Sequence, residues 1–324
     1  MAHPVRNILR MILFIVTLLV LGDLVWSWWI VRRIEAENPP RGLFVDVDGG
    51  RIHVARRDPV GEARADVLLL HGASGNQADM MEALGDRLAA LGFRVFAVDR
   101  PGHGYSDRIG PSHALNGQAV VIRRALEALG VHRAIVVGHS LGGAVADNFA
   151  IDHGDFAQGV VLISPVTHEW PGRIRWYYSA ASLRLAGVAF ASAVALPVGL
   201  ATMDAAVASV FKPHVPPPDY IARTGAKLVL RPSEFVANAR DVAALKTFVI
   251  EQAPREKNVR VPVAIVSGDD SDTIVFTRIH SVGSAAAIPG ATLKILPGVG
   301  HAPHWVAPEA IVEAVADVFT RSVR

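Results

Sequence analysis

The chain opens on one long apolar run and then settles into a shorter alternation. Residues 11–31 read MILFIVTLLVLGDLVWSWWIV, with Asp23 as the single charge. As a helix rising ~1.5 Å per residue this run is about 31 Å long, close to the hydrocarbon thickness of a bilayer. Trp26, Trp28 and Trp29 gather at its far end and Arg32 and Arg33 follow, the order in which a spanning helix leaves the acyl region. A cleaved leader would need small residues where bulky Trp and RRIEAENPP stand, and a helix packed on a soluble domain is the third reading of the same run. The expectation is a tail at 1–10, a single-pass membrane anchor at 11–31 and a linker at 32–41. Arg6 and Arg10 ahead of an uncleaved segment favour an inside N-terminus and a large domain on the extracytoplasmic, periplasmic side.

Beyond Pro39-Pro40 the period shortens. Residues 44–47 and 51–56 flank Asp48-Gly49-Gly50, predicting a hairpin with glycine where φ turns positive. Short, largely apolar runs at 67–70, 94–98, 134–137, 160–163, 261–266 and 292–296 predict the strands of a sheet covered on both faces. Helical periodicity falls between them, at 76–91, 114–129, 141–153 and 308–321. Such alternation predicts an α/β fold: a mostly parallel eight-stranded sheet with helices on both sides, formed by residues 42–166 and 247–324. Residues 167–246 exceed a plain crossover. They carry Trp170, Trp176, Tyr177 and Tyr178 and a nearly charge-free run at 188–200, and they predict an inserted cap of two or three lid helices. The run at 188–200 is too short to span a membrane, although it could touch one.

Composition narrows the chemistry. Of the 324 residues, 51% are apolar, and 32 Lys and Arg against 30 Asp and Glu leave a net charge of +2. No basic block exists, so a nucleic-acid partner is not expected. Cysteine is absent, which removes disulfides, thiolate catalysis, cysteine-held metals and a lipoprotein-type anchor. With no metal cluster or dinucleotide fingerprint, no cofactor is expected.

The reactive residue types sit just after predicted strands, where open α/β sheets place their sites. Gly138-His139-Ser140-Leu141-Gly142-Gly143 joins a strand to a helix; so tight a turn holds the serine hydroxyl proud of the sheet above a helix N-terminus. His301 follows the last strand in Leu296-Pro297-Gly298-Val299-Gly300-His301, with His304 as its competitor among 13 histidines.

With His71-Gly72-Ala73 and Asp99-Arg100-Pro101-Gly102-His103-Gly104-Tyr105-Ser106, these segments resemble four landmarks of the α/β-hydrolase superfamily, in that family's order and spacing. The resemblance covers residues 42–324, more loosely in the insertion. It implies Ser140 as nucleophile, His301 as base and the N–H groups of Ala73 and Leu141 as oxyanion donors. His139 is implied as a support residue. Ser74, His139, Trp170 and Trp176 are candidates to shape the substrate pocket. The family's acid lies after the seventh strand, in Gly268-Asp269-Asp270-Ser271-Asp272-Thr273-Ile274-Val275. Its usual spacing lands on Ser271; aligning from Asp-Thr-Ile-Val selects Asp272, with Asp270 and then Glu169 as alternatives.

A serine nucleophile points away from dehalogenase and epoxide-hydrolase chemistry and toward carboxylic esters, thioesters or lactones of an apolar substrate. Carbon–carbon bond hydrolysis and perhydrolysis use the same triad and stay open, as does a non-catalytic, membrane-tethered binding protein.

Overall fold

In a computed structural model of the protein, which describes residues 2–110, 112 and 114–324, the predicted alternation becomes one sheet. Its strands are β1 (Leu43–Val47), β2 (Gly50–Arg57), β3 (Ala65–Leu70), β4 (Phe93–Val98), β5 (Ala134–His139), β6 (Ala157–Ile163), β7 (Val263–Gly268) and β8 (Thr292–Leu296). They lie in the order β1-β2-β4-β3-β5-β6-β7-β8. β2 pairs antiparallel with β1 and β4, and every later pairing is parallel.

The central strands lack polar alternation because both faces are covered. Leu68 and Leu70 face a cluster with Phe96, Val136 and Phe149, whereas Val67 and Leu69 face Val95, Ile135, Val161 and Val315 on the other side. Register then decides the site. Leu70 pairs with Gly138, so the loops after β3 and β5 emerge together. Gly268 pairs with Leu296, so the loops after β7 and β8 do the same.

Two boundaries differ from expectation. The first helix runs over Ala2–Glu37, absorbing much of the predicted tail and linker, because nothing before Pro39-Pro40 breaks it. The predicted end of the insertion at residue 246 falls inside a helix, Pro232–Gln252. Within the insertion, Trp176–Ser182 is followed by Arg184–Phe190, a π-helical turn at Ala191–Ala195 and Leu196–Phe211 in one run. The wider turn ends next to Pro197, whose ring and missing N–H disrupt regular α-helical bonding.

Candidate active site

Ser140 stands between β5 and the helix Leu141–Asp152 at φ 54° and ψ −118°. Its N–H donates to Ile163 O at 2.9 Å and its carbonyl accepts from Val166 N at 3.1 Å, so neighbouring segments hold the strained turn in place. The flanking glycines are required by close approach. A Cβ on Gly138 would strike the Gly142 carbonyl, and one on Gly142 would strike the carbonyls of Leu70 and His71.

His301 bridges the two other predicted partners. The Ser140 hydroxyl lies 3.0 Å from Nε2, and Nδ1 lies 2.9 Å from Asp272 Oδ2. With Asp272 ionised, Nδ1 carries the proton and donates, leaving Nε2 free to accept from the hydroxyl. Asp272 Oδ1 accepts from the N–H groups of Ile274 at 2.8 Å and Val275 at 2.9 Å. Burial opposes ionisation of Asp272, but His301 and these two amides hold its carboxyl below its ordinary value. All three side chains are buried, Ser140 at 8% exposure.

The alternative acids lie elsewhere. Asp270 is exposed and paired with Arg278 at 2.8 Å, and Glu169 is exposed near Lys246. His304 is buried with Nε2 3.3 Å from Asp79 Oδ2, so it does not stand in for His301. Asp79 also accepts from Tyr220 and Trp305. Burial works against this carboxylate, yet His304 holds it well below the usual range. His139 packs against His301 and His304 and donates from Nε2 to the His301 carbonyl at 2.8 Å. Burial keeps its imidazole neutral.

Leu141 opens its helix, so its N–H has no acceptor within that helix. On the opposite loop Ala73 precedes Ser74, which sits at φ 59°. Ser74 is gripped by Asn238 from the helix Pro232–Gln252: Ser74 N donates to Asn238 Oδ1 at 2.8 Å, and Asn238 Nδ2 donates to Ser74 Oγ at 3.0 Å. Arg100, wholly buried, donates to the carbonyls of His71 and Gly72 and to Asp241. Burial opposes charge on Asp241, but His103, Arg100 and Arg108 keep it ionised. Asn238 and Asp241 carry no motif in the sequence; only their spacing of three on one helix face hints that they act together.

Trp170 is half-buried against His280. Trp176, a candidate pocket residue, instead stands 70% exposed beside Tyr177 and Phe190. The insertion meets the His301 loop directly: a Cβ on Gly300 would collide with the Lys212 carbonyl.

The family model for the alpha/beta hydrolase fold matches residues 67–308. The chain is 38% identical over 123 residues to the dihydrolipoyllysine-residue acetyltransferase component of the acetoin cleaving system of Cupriavidus necator, a match of 38% of this chain that spans only 32% of that protein. It is 27% identical over 261 residues to 2-(acetamidomethylene)succinate hydrolase of Mesorhizobium japonicum, covering 78% of this chain and 86% of that one. Among solved structures, Est816, described as an N-acyl homoserine lactone degrading enzyme, superposes with a TM-score of 0.63 at 21% identity, covering 85% of this chain and 99% of its own. The matched span, the strand order and the loops that converge at the strand ends agree: this chain belongs to the α/β-hydrolase family and is a hydrolase of that fold.

Proposed function

We propose that the protein is a serine hydrolase that cleaves a carboxylic ester, thioester or lactone of an apolar substrate through an acyl-enzyme. The observation that carries this reading is the continuous chain from Asp272 through His301 to Ser140, with links of 2.9 and 3.0 Å. As Ser140 Oγ attacks the carbonyl carbon, its proton passes to His301 Nε2, and Asp272 stabilises the imidazolium. The oxyanion faces the N–H groups of Ala73 and Leu141, each able to lower the barrier by about 3 kcal/mol. Collapse breaks the bond to the leaving group, which takes the proton from Nε2. Water then attacks the acyl-serine by the same route, releasing the acid and restoring Ser140.

The intact chain of contacts favours catalysis over a non-catalytic binding role. The low exposure of Ser140 supports reading residues 167–246 as a lid, and the apolar insertion supports an apolar acyl group. The N-terminal helix is exposed on nearly every face from Ile8 to Val25, which supports an anchor in this segment, and Arg6 and Arg10 ahead of it favour the hydrolase domain on the extracytoplasmic side. Detergent-solubilised full-length protein offered p-nitrophenyl esters of increasing acyl length should release a burst of p-nitrophenol stoichiometric with enzyme. Ser140→Ala should lose the burst and the turnover; a variant that keeps both would refute the acyl-serine.

A further inference from the structure

The helical run Arg184–Phe190, Ala191–Ala195 and Leu196–Phe211 carries no charged side chain from Ala186 to Met203. Its inner face is occupied: Ala191, Ser192, Leu196 and Phe211 are buried. Its outer face has no protein cover among the described residues. Val188, Val194 and Val198 are 47%, 41% and 54% exposed, with exposed Ala189, Ala193 and Ala201 between them. Thr202, the exposed hydroxyl of this face, donates to the Val198 carbonyl at 2.8 Å. A surface helix in water turns polar residues outward, and one that is apolar all round is covered by protein or lipid.

The cover follows from what docks beside it. Asp23, Ser27, Ile30 and Ile34 form the less exposed stripe of the N-terminal helix, and Ile30 and Ile34 pack with Leu196, Leu200 and Met203. Arg231 ties Glu35 at 3.2 Å and Tyr105 donates to the Asn38 carbonyl, fixing this end of the helix to the domain. Docking thus begins at the level of Trp26, Trp28 and Trp29, residues of the kind that collect at a membrane interface. Exposed Trp176, edge-on to Phe190 at 5.8 Å, adds another such ring beside the same helical run.

We propose that the outer face of this helical run, around Val188, Val194 and Val198 with Trp176 at its edge, lies in the headgroup–acyl boundary of the bilayer that the N-terminal helix enters. The inference rests on reading that helix as an anchor. A run held by its inner face on the hydrolase domain presents only its outer face to lipid and lies in the plane of the interface, and Asp204 marks where its uncharged stretch ends. The site beneath would then meet acyl substrates carried in the leaflet.

Because the chain has no cysteine, single nitroxide labels can be placed at V188C and V198C, with V60C as an aqueous reference at fully exposed Val60. The full-length protein is reconstituted in phosphatidylcholine–phosphatidylglycerol vesicles. At the two insertion positions, the ratio of collisions with oxygen to collisions with a water-soluble nickel chelate should exceed that at V60C several-fold. Ratios equal to the reference overturn the inference, as does shielding from both agents with dipolar broadening from a second copy. Flotation of the same vesicles separates the two readings. A chain that floats with aqueous labels sinks this inference alone, and a chain that fails to float sinks the anchor and this inference together.

Discussion

Ser140 occupies a backbone conformation that L side chains adopt at a cost, and the price is met by hydrogen bonds with the end of β6 and the loop after it and by glycines that clear its path. That is why the nucleophile candidate is legible in sequence: the glycine spacing reports sterics. His301 is legible for a similar reason, since a base after the last strand meets a turn after the fifth. Asp272 was harder, because one residue of slack in its loop separates a buried carboxylate from the solvated Asp270. Asp272→Asn is expected to lower kcat by about 10³- to 10⁴-fold, since the imidazole loses the partner that fixes its tautomer, while Asp270→Asn should stay within about twofold, as for a surface ion pair. Steady-state kinetics on one ester ranks them, and the reverse order would move the role to Asp270. Asn238 was not legible at all, lying 164 residues from the Ser74 it grips. Asn238→Ala should free the left-handed Ser74 and let Ala73 drift, lowering kcat by about 10- to 100-fold with KM little changed. An unchanged kcat with lowered thermal stability would make Asn238 purely structural.

The elements were legible wherever hydrophobic period alone decides them. Both-face burial gives the central strands apolar runs, and the predicted cores of β3 to β8 fall within a few residues of those observed. The insertion was less legible, because its helices pack partly on the hydrolase core and partly on the N-terminal helix, so no single polar face marks their ends. Its start is tied to the core by a buried cluster in which Ser284 Oγ bonds both Thr167 and Glu256, at 2.7 and 2.8 Å. Burial, with Asp147 nearby, pushes the Glu256 carboxyl well above its ordinary value. A carboxyl raised in the fold favours folding while neutral, so this contribution is present below the ordinary pKa near 4.5 and is lost as pH rises toward the folded value. Glu256→Gln should therefore raise Tm at pH 8 while leaving it nearly unchanged at pH 4. A uniform shift at both pH values would contradict the account.

At the scale of the molecule, the insertion is tied by named contacts to the loops that carry the candidate site. Asn238 reaches the loop after β3, Asp241 binds Arg100 in the loop after β4, Tyr220 reaches Asp79 at 2.7 Å, and Lys212 crowds Gly300 beside His301. None of these couplings follows a short sequence motif, since each joins residues far apart in the chain. Gly300→Ala should displace the insertion and the His301 loop together, lowering both kcat and Tm; loss of neither would show that the Lys212 contact yields easily. The central claim, that Ser140 is a nucleophile activated by His301 and Asp272, is tested most directly by treating the full-length protein with a fluorophosphonate probe and mapping the adduct by mass spectrometry. The account predicts one adduct, on Ser140, absent in Ser140→Ala and formed far more slowly in His301→Ala. Labelling at another serine, or equal labelling of the Ser140→Ala variant, would contradict it.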